Sequence, residues 1–150
     1  MRAVVQRVTE ADVTVDGKIT GSIGQGLMVL IGVEDGDDAK DAEYIAKKVA
    51  NLRVFDDEDG VMNKSVIDAG GKILAVSQFT LLGDVRKGNR PSYFAAARPE
   101  AADALYQDVI KLLKDSYGLC VEEGVFQTEM LVRIHNDGPV TILMDSKKNF

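Results

Sequence analysis

The first third of the chain is a series of short apolar runs cut by glycine-bearing turns. Residues 3–8, 12–15, 18–23 and 27–33 carry the β-branched and aliphatic side chains, and Asp16-Gly17 and Gly24-Gln25-Gly26 separate the later runs. Each run predicts a strand, and together they predict an antiparallel meander. Asp-Gly between strand formers suits a tight hairpin, because both central positions of a type I′ turn need positive φ. Leu27-Met28-Val29-Leu30-Ile31-Gly32-Val33 is almost continuously apolar, which marks a central strand covered on both faces.

The period then changes. Asp37 or Asp38 can cap a helix in which Ala42, Ile45, Ala46 and Val49 recur at helical spacing, while Lys40, Asp41, Lys47 and Lys48 take the other faces. That helix is expected to lie on the sheet. Arg53-Val54-Phe55 predicts a brief strand before a turn-rich stretch at 56–60, and residues 72–80 predict another buried strand. Pro99 sits where a helix can begin, and Ala101, Ala104, Leu105, Val109, Leu112 and Leu113 form its apolar stripe, ending near Gly118. Strand alternation returns with Met130, Val132 and Ile134, and again with Val140, Ile142 and Met144 on the other side of Gly138-Pro139. Strands, helix, strands, helix and strands again predict one α+β domain over residues 1–150, with mainly antiparallel sheets packed by two main helices and no regular βαβ repeat.

Composition narrows the function. With 150 residues, 45% of them hydrophobic, the chain can build one real core. It has neither the roughly 18 consecutive apolar residues of a membrane span nor the apolar run of a signal peptide at its start, so a cytoplasmic protein is expected. Cys120, the single cysteine, excludes a disulfide scaffold and reads as a packed side chain. A net charge of −6 excludes a protein that coats nucleic acid through bulk electrostatics. Local cations remain at Arg86-Lys87-Gly88-Asn89-Arg90 and at Lys147-Lys148, and an enzyme that holds only the end of an RNA needs few phosphate contacts.

No phosphate-cradling loop, nucleophile elbow or cysteine pair is present. His135, the only histidine, lies in an alternating strand where a structural role suits it better than that of a base. Asp56-Asp57-Glu58-Asp59 lacks the glycine and glutamate placement of a calcium loop and reads as a solvated turn, so neither metal nor cofactor is expected. Two segments carry candidate chemistry. Ser77-Gln78-Phe79-Thr80-Leu81 ends an apolar strand, where hydroxyls and freed backbone N–H groups can face a polarised carbonyl. Taken alone, it suits local hydrogen bonding at a strand end better. Asn136-Asp137-Gly138-Pro139, taken alone, is ordinary turn chemistry.

In their order along the chain, these blocks resemble the D-aminoacyl-tRNA deacylase family, also called D-tyrosyl-tRNA deacylases. The resemblance runs through Arg2-Ala3-Val4-Val5-Gln6-Arg7-Val8, Leu30-Ile31-Gly32-Val33, Met62-Asn63, Val76-Ser77-Gln78-Phe79-Thr80-Leu81, Lys87-Gly88-Asn89-Arg90-Pro91-Ser92-Tyr93-Phe94 and Asn136-Asp137-Gly138-Pro139-Val140-Thr141. It implies a barrel-like fold of that family and hydrolysis of the ester between a D-amino acid and the 3′ end of tRNA. It also implies a homodimer in which Gly138 and Pro139, joined by a cis bond, enter the other subunit's site and exclude L-residues but not glycine, which is then also removed.

The resemblance assigns Ser77, Gln78, Phe79 and Thr80 to carbonyl placement and the oxyanion region. Either Thr80 or the RNA 2′-hydroxyl assists the chemistry. Met130 is implied to line the pocket, Arg7 to hold the Gly-Pro segment, and Arg86, Lys87 and Arg90 to touch tRNA. One departure stands out: the family usually has Phe-Gly-Ala where this chain has Phe126-Gln127-Thr128. If those residues have spoiled the pocket, the rival reading is a non-catalytic RNA-binding module built on Arg86, Lys87 and Arg90.

Overall fold

The computed structural model describes residues 1–150. Its first strand, β1 (Arg2–Val15), runs unbroken where the sequence suggested two, because Thr9-Glu10 contains no turn former and register shifts absorb the irregularity. The Asp16-Gly17 hairpin follows with φ of 49° and 77°, as its turn type requires. It leads into β2 (Lys18–Ile23), and then β3 (Gly26–Gly32) returns beside β1, not beside β2. The expected meander is therefore replaced by the order β2-β1-β3, with β3 paired to the first half of β1 and β2 to the second. The length of β1 makes this possible, since one strand offers an edge to two partners.

The parallel pairings were also unexpected. Helix α1 (Ala39–Asn51) and the small hairpin of β4 (Phe55–Asp56) and β5 (Met62–Lys64) lead to β6 (Lys72–Ser77), which lies parallel to β3. Helix α2 (Pro99–Asp115) connects β6 to β7 (Val121–Glu123), again in parallel. Both connections are βαβ crossovers, and the continuous apolar runs of β3 and β6 are what such double-sided burial demands. Last comes β8 (Leu131–Asp145), antiparallel to β1 along its other edge from Arg2 opposite Asp145 to Thr14 opposite Leu131.

The sheet curls until its ends approach: a Cβ placed on Gly21 of β2 would stand 2.8 Å from the carbonyl oxygen of Glu123 in β7. This gives the barrel-like form. Val8, Val13, Ile23, Met28, Leu74 and Val76 fill the inside of the curl, while Val5, Leu27, Val29, Ile31, Ile73 and Ala75 face outward under the two helices. Adjacent residues of β3 and β6 thus serve opposite cores.

Asp38 caps α1 through a capping box with Asp41, and Asp37 turns instead to the Met1 amino group at 2.8 Å. The buried face of α2 is Ala102, Tyr106, Val109, Ile110 and Leu113, offset from the stripe read in the sequence; Ala101 and Ala104 are exposed. The offset comes from Tyr106, whose hydroxyl donates to the Ala75 carbonyl oxygen at 2.9 Å, so a tyrosine can be fully buried. Burial, with the Glu123 and Asp103 carboxylates nearby, holds this phenol protonated. Cys120 is exposed, not packed, because it lies just outside β7 while Leu119 and Val121 point inward. The Asp56–Asp59 stretch ends β4 and enters the turn of the β4–β5 hairpin, organised by Asp57, whose carboxylate accepts from the amides of Asp59 and Val61 and from Asn63. No helix is long and apolar enough to cross a membrane.

Candidate active site

The strand expected to reach Thr80 stops at Ser77. The amide of Gln78 donates to the Ile31 carbonyl oxygen at 2.7 Å, and the backbone then tightens into a 3-10 turn over Phe79–Leu82. A helical turn leaves its first N–H groups without acceptors inside it, so the amides of Phe79 and Thr80 stand at the strand end as donors for an outside group. Gly32 lets the turn sit this close to β3, since a Cβ there would meet the Gln78 oxygen at 2.9 Å and the Leu82 side chain at 2.7 Å. The Gln78 side-chain amide donates to the Thr80 hydroxyl, and Arg2 Nη1 donates to the Leu81 oxygen at 3.1 Å.

Ser77, Gln78 and Phe79 line a cavity of about 680 Å³ between the end of β6, the start of α2 and the segment before β8. Phe126, Gln127, Thr128, Met130 and Val132 form the facing wall, and Tyr93 closes one side. The interior is mostly apolar, as suits a site that excludes water around a few aimed polar groups. Phe79 and Tyr93 meet edge to face at the rim, with ring centroids 5.1 Å apart, and both remain substantially exposed. Behind the cavity Phe126 stacks on Tyr106 at 6.4 Å. Met130 is admitted by Gly124, where a Cβ would fall 2.7 Å from its sulfur.

Gln127 has φ +58°, the left-handed region that glycine favours. The departure from Phe-Gly-Ala therefore puts a side chain where the backbone prefers none. Thr128 ties the segment down through its hydroxyl, which donates to the Val125 oxygen at 2.8 Å.

Gly138 and Pro139 do not line this cavity. They form a bulge in β8 opposite Arg7, because Val8 pairs with Asn136 while Gln6 pairs with Thr141. The Gly138-Pro139 peptide bond is cis, and Gly138 has φ +114°. Asn136 closes the neck of the bulge: its amide nitrogen donates to the oxygens of Arg7 and Val140, both at 3.0 Å, and its oxygen accepts from Gln6 and Thr141. Arg7 lies beneath, largely buried, donating to the Val54 oxygen at 2.7 Å. Its Nε is 3.2 Å from the Asp137 carboxylate but out of line for a hydrogen bond, so this contact is an ion pair only. Arg7 and Asp137 border a separate polar hollow with Asp56 and Lys64.

Within one chain, then, Ser77, Gln78, Phe79 and Met130 come together with Thr80 alongside, whereas Arg7, Gly138 and Pro139 form a second group. Arg86, Lys87 and Arg90 lie on an exposed loop closed by Asp84 and Ser92. Arg86 grips Asp84 through two nitrogens at 2.9 and 2.6 Å, and this holds the carboxyl well below the usual range. Of these three, Lys87 and Arg90 make no ion pair. His135 faces Glu10 at 3.3 Å on the outer surface, and neither it nor Cys120 borders the cavity. No group of three or more His, Cys, Asp or Glu side chains is placed to hold a metal. Sequence reasoning passed over Tyr93 and Asn136 as individuals. The aromatic pair Tyr93-Phe94 beside Pro91, and an asparagine beginning a Gly-Pro turn, were the available signals.

Amide and hydroxyl groups at one wall of an apolar cavity can donate to a polarised carbonyl oxygen. The profile of the family described as D-Tyr-tRNA(Tyr) deacylase matches residues 4–145. D-aminoacyl-tRNA deacylases from Koribacter versatilis and Fervidobacterium nodosum are 59% and 57% identical over 150 residues, all of this chain and all of each relative. A solved structure described as c-Myc DNA Unwinding Element Binding Protein superposes with TM-score 0.92 at 45% identity, covering 97% of this chain and 98% of that one. The chain belongs to the D-Tyr-tRNA(Tyr) deacylase family, and it is an enzyme of the hydrolase class.

Proposed function

We propose that this hydrolase cleaves the ester between a D-amino acid, or glycine, and the terminal ribose of tRNA in the cytoplasm, as a homodimer whose sites are shared between subunits. In this reading the cavity accepts the ester and the terminal nucleoside. The Ser77–Thr80 strand end positions the carbonyl and stabilises the oxyanion. Water adds to the carbonyl carbon, the tetrahedral intermediate collapses, and the C–O bond to the ribose breaks, the ribose oxygen leaving with a proton. The RNA 2′-hydroxyl beside that bond is the favoured assistant, and Thr80 is the alternative nucleophile.

Gly138 and Pro139 of a second subunit supply the filter. Their carbonyl oxygens, which can only accept, receive the α-ammonium group, and an L side chain then strikes the Gly-Pro wall while a D side chain points outward. Glycine passes because it has no side chain to strike. What supports the reading above all is the separation of the two groups: the bulge stands outside the cavity of its own chain, on the unpaired edge of β8. Leu131 and Leu143 on the same strand are 65% and 58% exposed, as expected of a face that a second copy covers.

The direct test compares D-tyrosyl-tRNA with L-tyrosyl-tRNA, with glycyl-tRNA(Ala) as a third substrate. Fast release from the first and third with little from the second is expected; equal rates on both tyrosyl esters would sink the proposal. His135→Ala and Cys120→Ser should leave turnover intact. Sharing is tested by mixing Gly32→Ala subunits, broken at the strand end, with Pro139→Ala subunits, broken at the filter: a mixed dimer contains one site with both halves intact, so the mixture should recover fast D-ester cleavage that discriminates against the L-ester, which neither variant shows alone. Absence of recovery after demonstrated subunit exchange refutes the shared site.

A further inference from the structure

Phe94 is 96% exposed, the most exposed of the large apolar side chains. It does not ride on a loose tip. The loop before it is closed by paired hydrogen bonds of 2.8 and 2.9 Å between Asp84 and Ser92, and the Phe94 amide donates to the Ser92 hydroxyl. Beyond it, Ala95 accepts from the Asp35 amide at 2.8 Å and the Ala97 amide donates to the Val33 oxygen at 2.9 Å. The backbone under the ring is thus fixed to the end of β3. The preceding residue, Tyr93, lines the cavity and packs on Phe79, so Phe94 follows directly in sequence on an aromatic pair at the rim. On the loop closed behind them, Lys87 and Arg90 are exposed cations that make no ion pair within 4 Å, in a protein of net charge −6.

We infer that Phe94, with Lys87 and Arg90, is a stacking platform for an unpaired base of the RNA strand whose end enters the cavity. The inference rests on the aminoacyl-RNA reading above. Unpaired RNA is bound by aromatic faces that stack on bases and by cations that follow the backbone, and this combination occurs here on the segment that also supplies Tyr93 to the cavity. A ring already fixed in place loses little freedom on binding. Tyr93 and Phe79 serve the terminal nucleoside at the rim, and Phe94 takes a base upstream of it. A second protein chain is the competing occupant, but an apolar contact alone would not call for the free cations beside it.

The test uses two substrates. D-tyrosyl-tRNA carries the upstream bases, and D-tyrosyl-adenosine lacks them. Phe94→Ala is expected to lower kcat/KM on the tRNA by about fivefold to a hundredfold, through KM, and to leave the adenosine ester unchanged. Phe94→Trp should restore the tRNA value. Anisotropy of a labelled single-stranded RNA oligonucleotide should show the same weakening with Phe94→Ala. Replacing both Lys87 and Arg90 by alanine should flatten the dependence of log Kd on log salt by about 1.4. If the parent protein binds the oligonucleotide through Phe94 but cleaves neither ester, the deacylase reading fails and the platform stands. Equal losses on both substrates, an unchanged tRNA value, or a change in oligomeric state with Phe94→Ala overturns the platform.

Discussion

Replacing Asn136 tests whether one side chain holds the Gly-Pro bulge in shape. Its amide nitrogen bridges the carbonyls of Arg7 and Val140 across the neck, and its oxygen collects donors from Gln6 and Thr141. Three of the four bonds are partly buried, and each contributes about 1 kcal/mol net in such a setting. Water can reach a half-buried site and restore part of this, so Asn136→Ala is expected to cost about 2 kcal/mol, a fall in Tm of about 4–8 °C for a chain of this size.

Asn136→Asp separates the hydrogen bonds from the shape. It keeps the size but turns a donor toward two carbonyl oxygens into an acceptor, so at pH 7 it should be less stable than the alanine variant. The aspartate's folded pKa would be raised, so its stability is fully present below the unfolded value of about 3.9 and lost as pH rises through the folded one. The deficit against alanine therefore shrinks toward pH 5. Urea unfolding followed by circular dichroism at equal protein concentration, at pH 5 and 7, reads both effects. An alanine variant within about 0.5 kcal/mol of the parent, or an aspartate variant that weakens on acidification, would refute the reasoning. In the deacylation assay the same variants should lose discrimination between D- and L-esters.

Gly32→Ala drives a methyl group toward the Gln78 oxygen and Leu82, and should cut kcat on D-tyrosyl-tRNA by up to about a hundredfold by displacing the strand end, whereas Gly24→Ala, with open space around it, should not. Retained turnover in purified, folded Gly32→Ala protein would show that the turn's position is immaterial. Gln127→Gly relieves a left-handed backbone worth about 1–2 kcal/mol, partly offset by the freer unfolded chain, so a gain of about 0.5–1 kcal/mol is expected in chemical denaturation and a loss would contradict it. Hydrogen bonds from Asn63 and from the Val61 and Asp59 amides lower the Asp57 carboxyl from its ordinary value. Its stabilising contribution is present above the unfolded pKa and lost as pH falls through the folded one, so the urea midpoint should drop below about pH 4, and less so in Asp57→Asn.

Much of the fold could be read from the chain because local signals agreed with their surroundings. The Asp16-Gly17 turn, the aspartate cap of α1 and Pro99 at the start of α2 are decided within a few residues. What could not be read depends on distant partners. The parallel crossovers are set by how the faces of β3 and β6 are covered, and the buried face of α2 by a hydrogen bond from Tyr106 to a carbonyl thirty-one residues away. At the site, the Ser77–Thr80 segment stood out, but its 3-10 turn depends on an amide reaching Ile31. Asn136 looked like an ordinary turn residue because its value lies in donors and acceptors on β1. Gln127 shows the reverse case, where a substitution visible in the sequence acquires meaning only from the backbone angle it must adopt.

The two-sided pairing of β1 bears on when this enzyme becomes active during its own synthesis. One edge of β1 finds β2 and β3 almost at once, but the other waits for β8, more than a hundred residues later. Closing so long a loop carries an entropic cost and slows folding. At about 5–20 residues per second, the nascent chain spends at least several seconds with that edge bare. Met130, Val132 and the Gly138-Pro139 bulge arrive on the same late segment, after the Ser77–Leu82 turn has been made. No partly made chain can therefore present a finished cavity, and the strand that covers the remaining edge of β1 delivers the last wall of the site.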